Sequence, residues 1–116
     1  NGADADALGI GYTTVNIVLS FMRPGPSKDT IPFQYCGRTY YAARPMIERY
    51  DRVTRFCAER NIVVSAIILI PNPRGFAGDL GRFFACPEYD EHGIFAMPNL
   101  TTAEAVNYYA AALQFL

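Results

Sequence analysis

The sequence lacks the means for metal chemistry. It has one histidine, His92, and its three cysteines, Cys36, Cys57 and Cys86, are widely spaced and form no Cys-x-x-Cys pair. Ligand spacing for a zinc site is missing, and no metal is expected. The odd cysteine count excludes a simple disulfide framework, and nothing supports pairing Cys36 with Cys86. Neither sign of charge dominates: 10 basic residues face 11 acidic ones, for a formal net charge of −1. That balance gives no reason to expect nucleic acid or an anionic membrane as partner. The longest largely apolar stretch, residues 62–70, is far too short to span a bilayer. The Gly75-x-x-Gly78-x-x-Gly81 spacing reads as part of a loop with no helix placed directly after it, so no glycine-rich phosphate loop is expected. A dinucleotide site is therefore disfavoured, no Gly-x-Ser-x-Gly elbow appears, and no cofactor is expected.

What is present is an apolar chain with regular punctuation. Hydrophobic residues make up 51% of the 116 positions, which excludes general disorder and fits one small domain. Two β-branched runs stand out, at about 13–20 and 62–70, and neither alternates polar with apolar residues. A strand apolar on both faces needs cover on both, which is the condition of a parallel sheet layered with helices. Helical patterns at about 46–60 and 102–116 follow the two runs. The expected class is α/β, ordered βαβα. The sequence opens on Asn1 rather than Met, shows no signal peptide and closes inside a helical pattern. The expectation is thus a piece of a larger α/β enzyme, with its targeting unreadable.

Local signals fill in the rest. Asp4 to Leu8 reads as the end of a helix stopped by Gly9. Arg23 to Asp29, with Pro24, Gly25 and Pro26, reads as a loop. Residues 31–35 and 38–42 flank Cys36-Gly37 as a two-residue β-hairpin. Pro45 suits a first helical turn, and Met46, Tyr50, Val53 and Cys57, widened by Ile47 and Phe56, form the apolar stripe of the helix it opens. Cys57 on that stripe is expected to pack in the core. The arginines and glutamates opposite read as a solvated face rather than a basic patch. Residues 71–100 read as one long loop, of a length often found in lids. Thr101-x-x-Glu104 reads as a capping box, and Val106, Tyr109, Ala110 and Leu113 as the buried stripe of the last helix.

In parallel α/β folds ligands bind at the C-terminal ends of the strands. Here those ends open into residues 21–44 and 71–100, whereas the opposite link, around Asn61, is minimal. The decorated side is rich in rings (Phe21, Tyr35, Tyr40, Tyr41, Phe76, Phe83, Phe84, Tyr89 and Phe95), and it carries Arg23, Arg38, Arg74, Arg82, Asn72, Asp79 and His92. Rings with interspersed polar groups suit stacking on sugars and hydrogen bonding to hydroxyls. The plainer reading, which carries more weight ring by ring, is a set of small cores beneath the loops. Glu88, Asp90 and Glu91 read as a solvated acidic turn rather than as the paired carboxylates of a glycosidase. His92, without a Ser or Cys partner, reads as a hydrogen-bonding loop residue. The Asn99-Leu100-Thr101 triplet fits a glycosylation acceptor, but such triplets are common by chance.

Taken in order, residues 8–17, the hairpin from Ile31-Pro32-Phe33 to Tyr40-Tyr41, Tyr50-Asp51-Arg52, residues 62–69 and the closing residues 99–111 resemble a bacterial family of TIM-barrel proteins related to glycoside hydrolases, domain of unknown function 5722. The resemblance covers nearly the whole chain, and its motifs are structural more than catalytic. It implies a βαβα fragment of a (β/α)8 TIM barrel, with parallel strands, a β-hairpin insertion and the rest of the same barrel as partner. It implies a glycosidase-like parent acting on a carbohydrate; a secreted or periplasmic setting would be compatible. In such barrels an Asn-Glu pair ending the fourth strand and a later Glu do the chemistry. No residue here matches either, so none is expected to be catalytic and residues 1–116 alone are expected to be inactive. The substrate-binding candidates are Ser20, Arg23, Asn72, Arg74, His92 and Asn99. Two rivals stand beside this reading: a non-catalytic carbohydrate-binding or structural domain lacking the acids, and a self-contained small α/β domain.

Overall fold

A computed structural model describes residues 2–116. The two β-branched runs pair with each other. Strand β1 (Tyr12–Val18) lies parallel to β5 (Val63–Leu69), with Tyr12 opposite Val63 and Val18 opposite Leu69. Both are shorter than the expected 13–20 and 62–70. Beyond Val18 the chain winds into a 3-10 turn, Leu19–Phe21, and the reason is packing. Leu19, Phe21 and Met22 are all fully buried. In an extended strand Phe21 and Met22 would point to opposite faces, and the turn lets both enter one core.

Among the described residues only one face of this pair is covered. Val15, Ile17 and Ile68 turn toward the core, while burial alternates along β1. The opposite face carries Tyr12, Val63 and Ile67, which are 60%, 63% and 46% exposed. Among the described residues the pair has no third strand, and nothing closes it into a barrel.

Between β1 and β5 the chain builds a second sheet, antiparallel, in the order β2-β4-β3, from β2 (Met22–Arg23), β3 (Thr30–Tyr35) and β4 (Arg38–Ala43). Its hairpin is the expected one. Cys36 and Gly37 both take positive φ, 46° and 76°, as a type I′ turn requires. Helix α1 (Gly2–Leu8) ends at Gly9, where Ile10 N donates to Ala5 O at 3.2 Å. Helix α2 (Arg44–Ala58) starts and stops two residues before the expected 46–60. Of its expected stripe Cys57 alone is fully buried; Met46, Ile47 and Tyr50 are half-buried. All three cysteines are free thiols.

The final helix, α4 (Ala103–Phe115), corrects two expectations. Its cap is Thr102, whose Oγ1 accepts from Ala105 N at 3.1 Å, and Glu104 pairs instead with Arg38 at 3.3 Å. The buried residues are Ala105, Tyr108, Ala111 and Ala112, while Val106 and Leu113 are each 40% exposed. One residue of offset rotates a helix face by about 100°. The alanines allow close approach, and Tyr108 stacks on Phe83 at 4.7 Å while its hydroxyl accepts from Arg38 Nη2 at 2.8 Å.

Residues 71–100 are not one open loop. They hold a 3-10 turn (Pro73–Gly75), a single-turn helix α3 (Gly81–Phe84) and two bridges, Pro71–Phe95 and Ala85–Pro98. Most of the rings there feed a core shared by the hairpin, α3 and α4, with Phe33–Phe115 at 4.4 Å and Phe76–Phe84 at 4.8 Å. The plainer reading of the aromatics thus describes most of them. No helix among the described residues is long and apolar enough to cross a membrane.

Candidate functional site

The C-terminal ends of β1 and β5 lie side by side, and each is followed by a residue pair from the candidate set. After β1, the Arg23 guanidinium folds back on its own turn. It donates to the carbonyls of Ser20 and, at 3.2 Å, Met22, and it lies 3.9 Å from Met46 Sδ. Ser20 opens onto a groove of about 510 Å³ between β1 and α2, lined also by Asn16, Arg49 and Tyr50. Tyr50 closes part of this edge, since its hydroxyl accepts from Val18 N at 3.0 Å.

After β5, Asn72 is buried and completely engaged. Its Nδ2 donates to Asp90 O and Gly93 O, both at 3.2 Å, and its Oδ1 accepts from Arg74 N at 3.2 Å and Arg74 Nε at 3.3 Å. A side-chain amide has two donors and room for two acceptances, so none is left for a ligand. Arg74 also donates through Nη2 to Glu91 O. Asn99 is a second buried amide: Nδ2 donates to Arg82 O at 2.7 Å, and Oδ1 accepts from Thr101 N at 3.0 Å and Thr101 Oγ1 at 2.7 Å. Each buried asparagine thus serves one arginine. Asn72 aims the Arg74 side chain, and Asn99 pins the backbone that carries Arg82.

The two arginines meet at one cavity of about 390 Å³, lined by Pro73, Arg74, Gly78, Asp79, Gly81 and Arg82. Its wall requires glycine at position 81, where a Cβ would lie 2.5 Å from Pro73 Cα. Arg82 rests over the Phe83 ring at 4.7 Å. Arg82 carries no sequence signal for this position, because α3 is one turn without a side-chain cap. The two loops adjoin at Gly78, whose added Cβ would stand 3.7 Å from Pro24 Cγ.

His92 is exposed, its backbone N–H donating to Asp90 Oδ1 at 2.9 Å in an Asx turn. That turn is the acidic stretch 88–91, held against Asn72 and Arg74 by its carbonyls. Phe95, 49% exposed, sits beside the end of β5 through its bridge to Pro71. Asn72, Arg74 and the His92 turn therefore form one constellation, with Asn99 behind it, while Ser20 and Arg23 form another along β1. Among the described residues no three His, Cys, Asp or Glu side chains gather as a metal site would need.

The family of unknown function DUF5722 matches residues 1–116, and the chain belongs to it. No curated protein and no solved structure matches the chain.

Proposed function

We propose that this member of DUF5722 is part of a glycoside hydrolase-like (β/α)8-barrel protein acting on a carbohydrate, to which residues 1–116 contribute two strands and their substrate-binding loops. The observation that carries the proposal is the lopsided parallel pair. Two strands joined through a helix have long, ordered segments at their C-terminal ends and, before β5, a helix-to-strand link that turns at Asn61. The bare face with Tyr12, Val63 and Ile67 supports it, since a barrel stave needs cover there.

Arg74, oriented by Asn72, and the half-exposed Phe95 offer donors and a stacking ring to a sugar, with His92 exposed on the neighbouring turn. Ser20 and Arg23 extend the wall along β1. Asn72 and Asn99 act as positioning residues. No residue of this chain is assigned to bond cleavage.

The test is binding of a neutral and charged oligosaccharide library to the full-length gene product, with reducing-end release followed in parallel. Binding that weakens at least about tenfold in Arg74→Ala supports the proposal. Binding without cleavage selects the non-catalytic version, and failure of every glycan to bind overturns it.

A further inference from the structure

We infer that the cavity between the Pro73–Gly75 turn and α3 receives an anionic substituent of the sugar chain, a carboxylate or a sulfate ester. This deepens the carbohydrate reading above and rests on it. The cavity is an open cleft of about 390 Å³ on the surface. Two guanidinium groups line it, and among the described residues no carboxylate lies within ion-pair distance of either. Asp79 lines the same wall without pairing with them, so the lining carries two positive charges against one negative.

Neither arginine has a carboxylate partner among the described residues. Arg74 is held through Nε and Nη2 by two neutral oxygens, Asn72 Oδ1 and Glu91 O. Arg82 is exposed with the Phe83 ring on its flank, and Asn99 fixes its backbone carbonyl. A restrained guanidinium loses less freedom on binding, and its fork geometry matches a carboxylate or sulfate. A neutral hydroxyl would meet the hydrogen-bond demand without the charge attraction that an anion gains.

The experiment compares length-matched neutral, uronate-containing and sulfated oligosaccharides on the full-length gene product by titration calorimetry. The anionic chains are expected to bind about tenfold tighter than the neutral one at low salt, with the advantage shrinking as salt screens it. Whether uronate or sulfate shows the larger advantage identifies the substituent. Arg74→Gln and Arg82→Gln should bring the anionic-to-neutral ratio to about one, with Arg82→Lys intermediate. Asp79→Asn should raise anionic affinity about threefold, a gain that misfolding cannot produce. Equal affinity for neutral and anionic chains overturns the cavity assignment while leaving the carbohydrate reading intact. So does an anionic preference that survives both glutamine variants. Failure of all three chains to bind overturns both.

Discussion

Asn61 is the pivot of the shortest connection in the molecule. Its φ is 53°, and it lets Ile62 N reach Cys57 O at 2.9 Å, so that helix gives way to strand within a few residues. Asparagine tolerates that conformation and a β-branched residue does not. Asn61→Val should therefore destabilise the fold by about 1–2 kcal/mol, with Asn61→Gly within about 0.5 kcal/mol of wild type, in chemical denaturation. Asn72 poses a different residue-scale problem. Asn72→Ala strips partners from the carbonyls of Asp90 and Gly93 and from the Arg74 N–H, at a cost of about 2 kcal/mol, read in the same melts. The asparagines were legible in the sequence as noteworthy polar residues next to strand and helix ends, but not in their role. Whether an amide faces a ligand or three backbone groups depends on how residues 90–93 fold back, and no local pattern encodes that return.

At the scale of elements, what could be read was what repeats. The paired strands, the I′ hairpin and α2 follow from β-branched runs, a two-residue turn and a 3.6-residue stripe. Residues 71–100 have no period, so their 3-10 turn, α3 and bridges exist through tertiary contacts alone. The buried face of α4 departs from the apolar ranking because Val and Leu outrank Ala in apolar area, whereas close packing against α3 and the hairpin selects Ala and the Arg38–Tyr108 bond selects Tyr. That bond joins β4 to α4, and Tyr108→Phe should lower stability by about 1 kcal/mol. Tyr40, on the same strand, gives the hairpin an alkaline limit. Burial holds its phenol above the ordinary 10.0, with the nearby Arg38 charge opposing that more weakly. Below pH 10 the phenol is protonated in both folded and unfolded chains, and its contribution is intact. Above it the native state keeps a proton that the unfolded chain releases, so stability falls as pH rises through the folded value. Tyr40→Phe should remove that part of the alkaline loss in urea melts run between about pH 8 and 11.

The molecule as a whole exposes more surface than its mass explains. Its accessible area is 7260 Å², against about 6300 Å² for a monomeric protein of 12.9 kDa. Its radius of gyration is 15.9 Å, against about 13 Å for a compact chain of this length. The excess has a visible source in the β1–β5 pair, with no third strand on either edge among the described residues and Tyr12, Val63 and Ile67 aligned on a bare face. Unpaired strand edges beside exposed apolar side chains are templates for association. Residues 1–116 purified alone should therefore self-associate, with sedimentation velocity showing species that grow with concentration. Val63→Lys and Ile67→Lys place charges on that face without touching the aromatic core, so each should shift the population toward monomer while leaving the far-ultraviolet dichroism unchanged. A wild-type segment that stays monomeric at all concentrations and melts sharply would show that the pair is stable uncovered. The barrel reading would then lose the need for a covering partner, and the self-contained α/β domain would take its place.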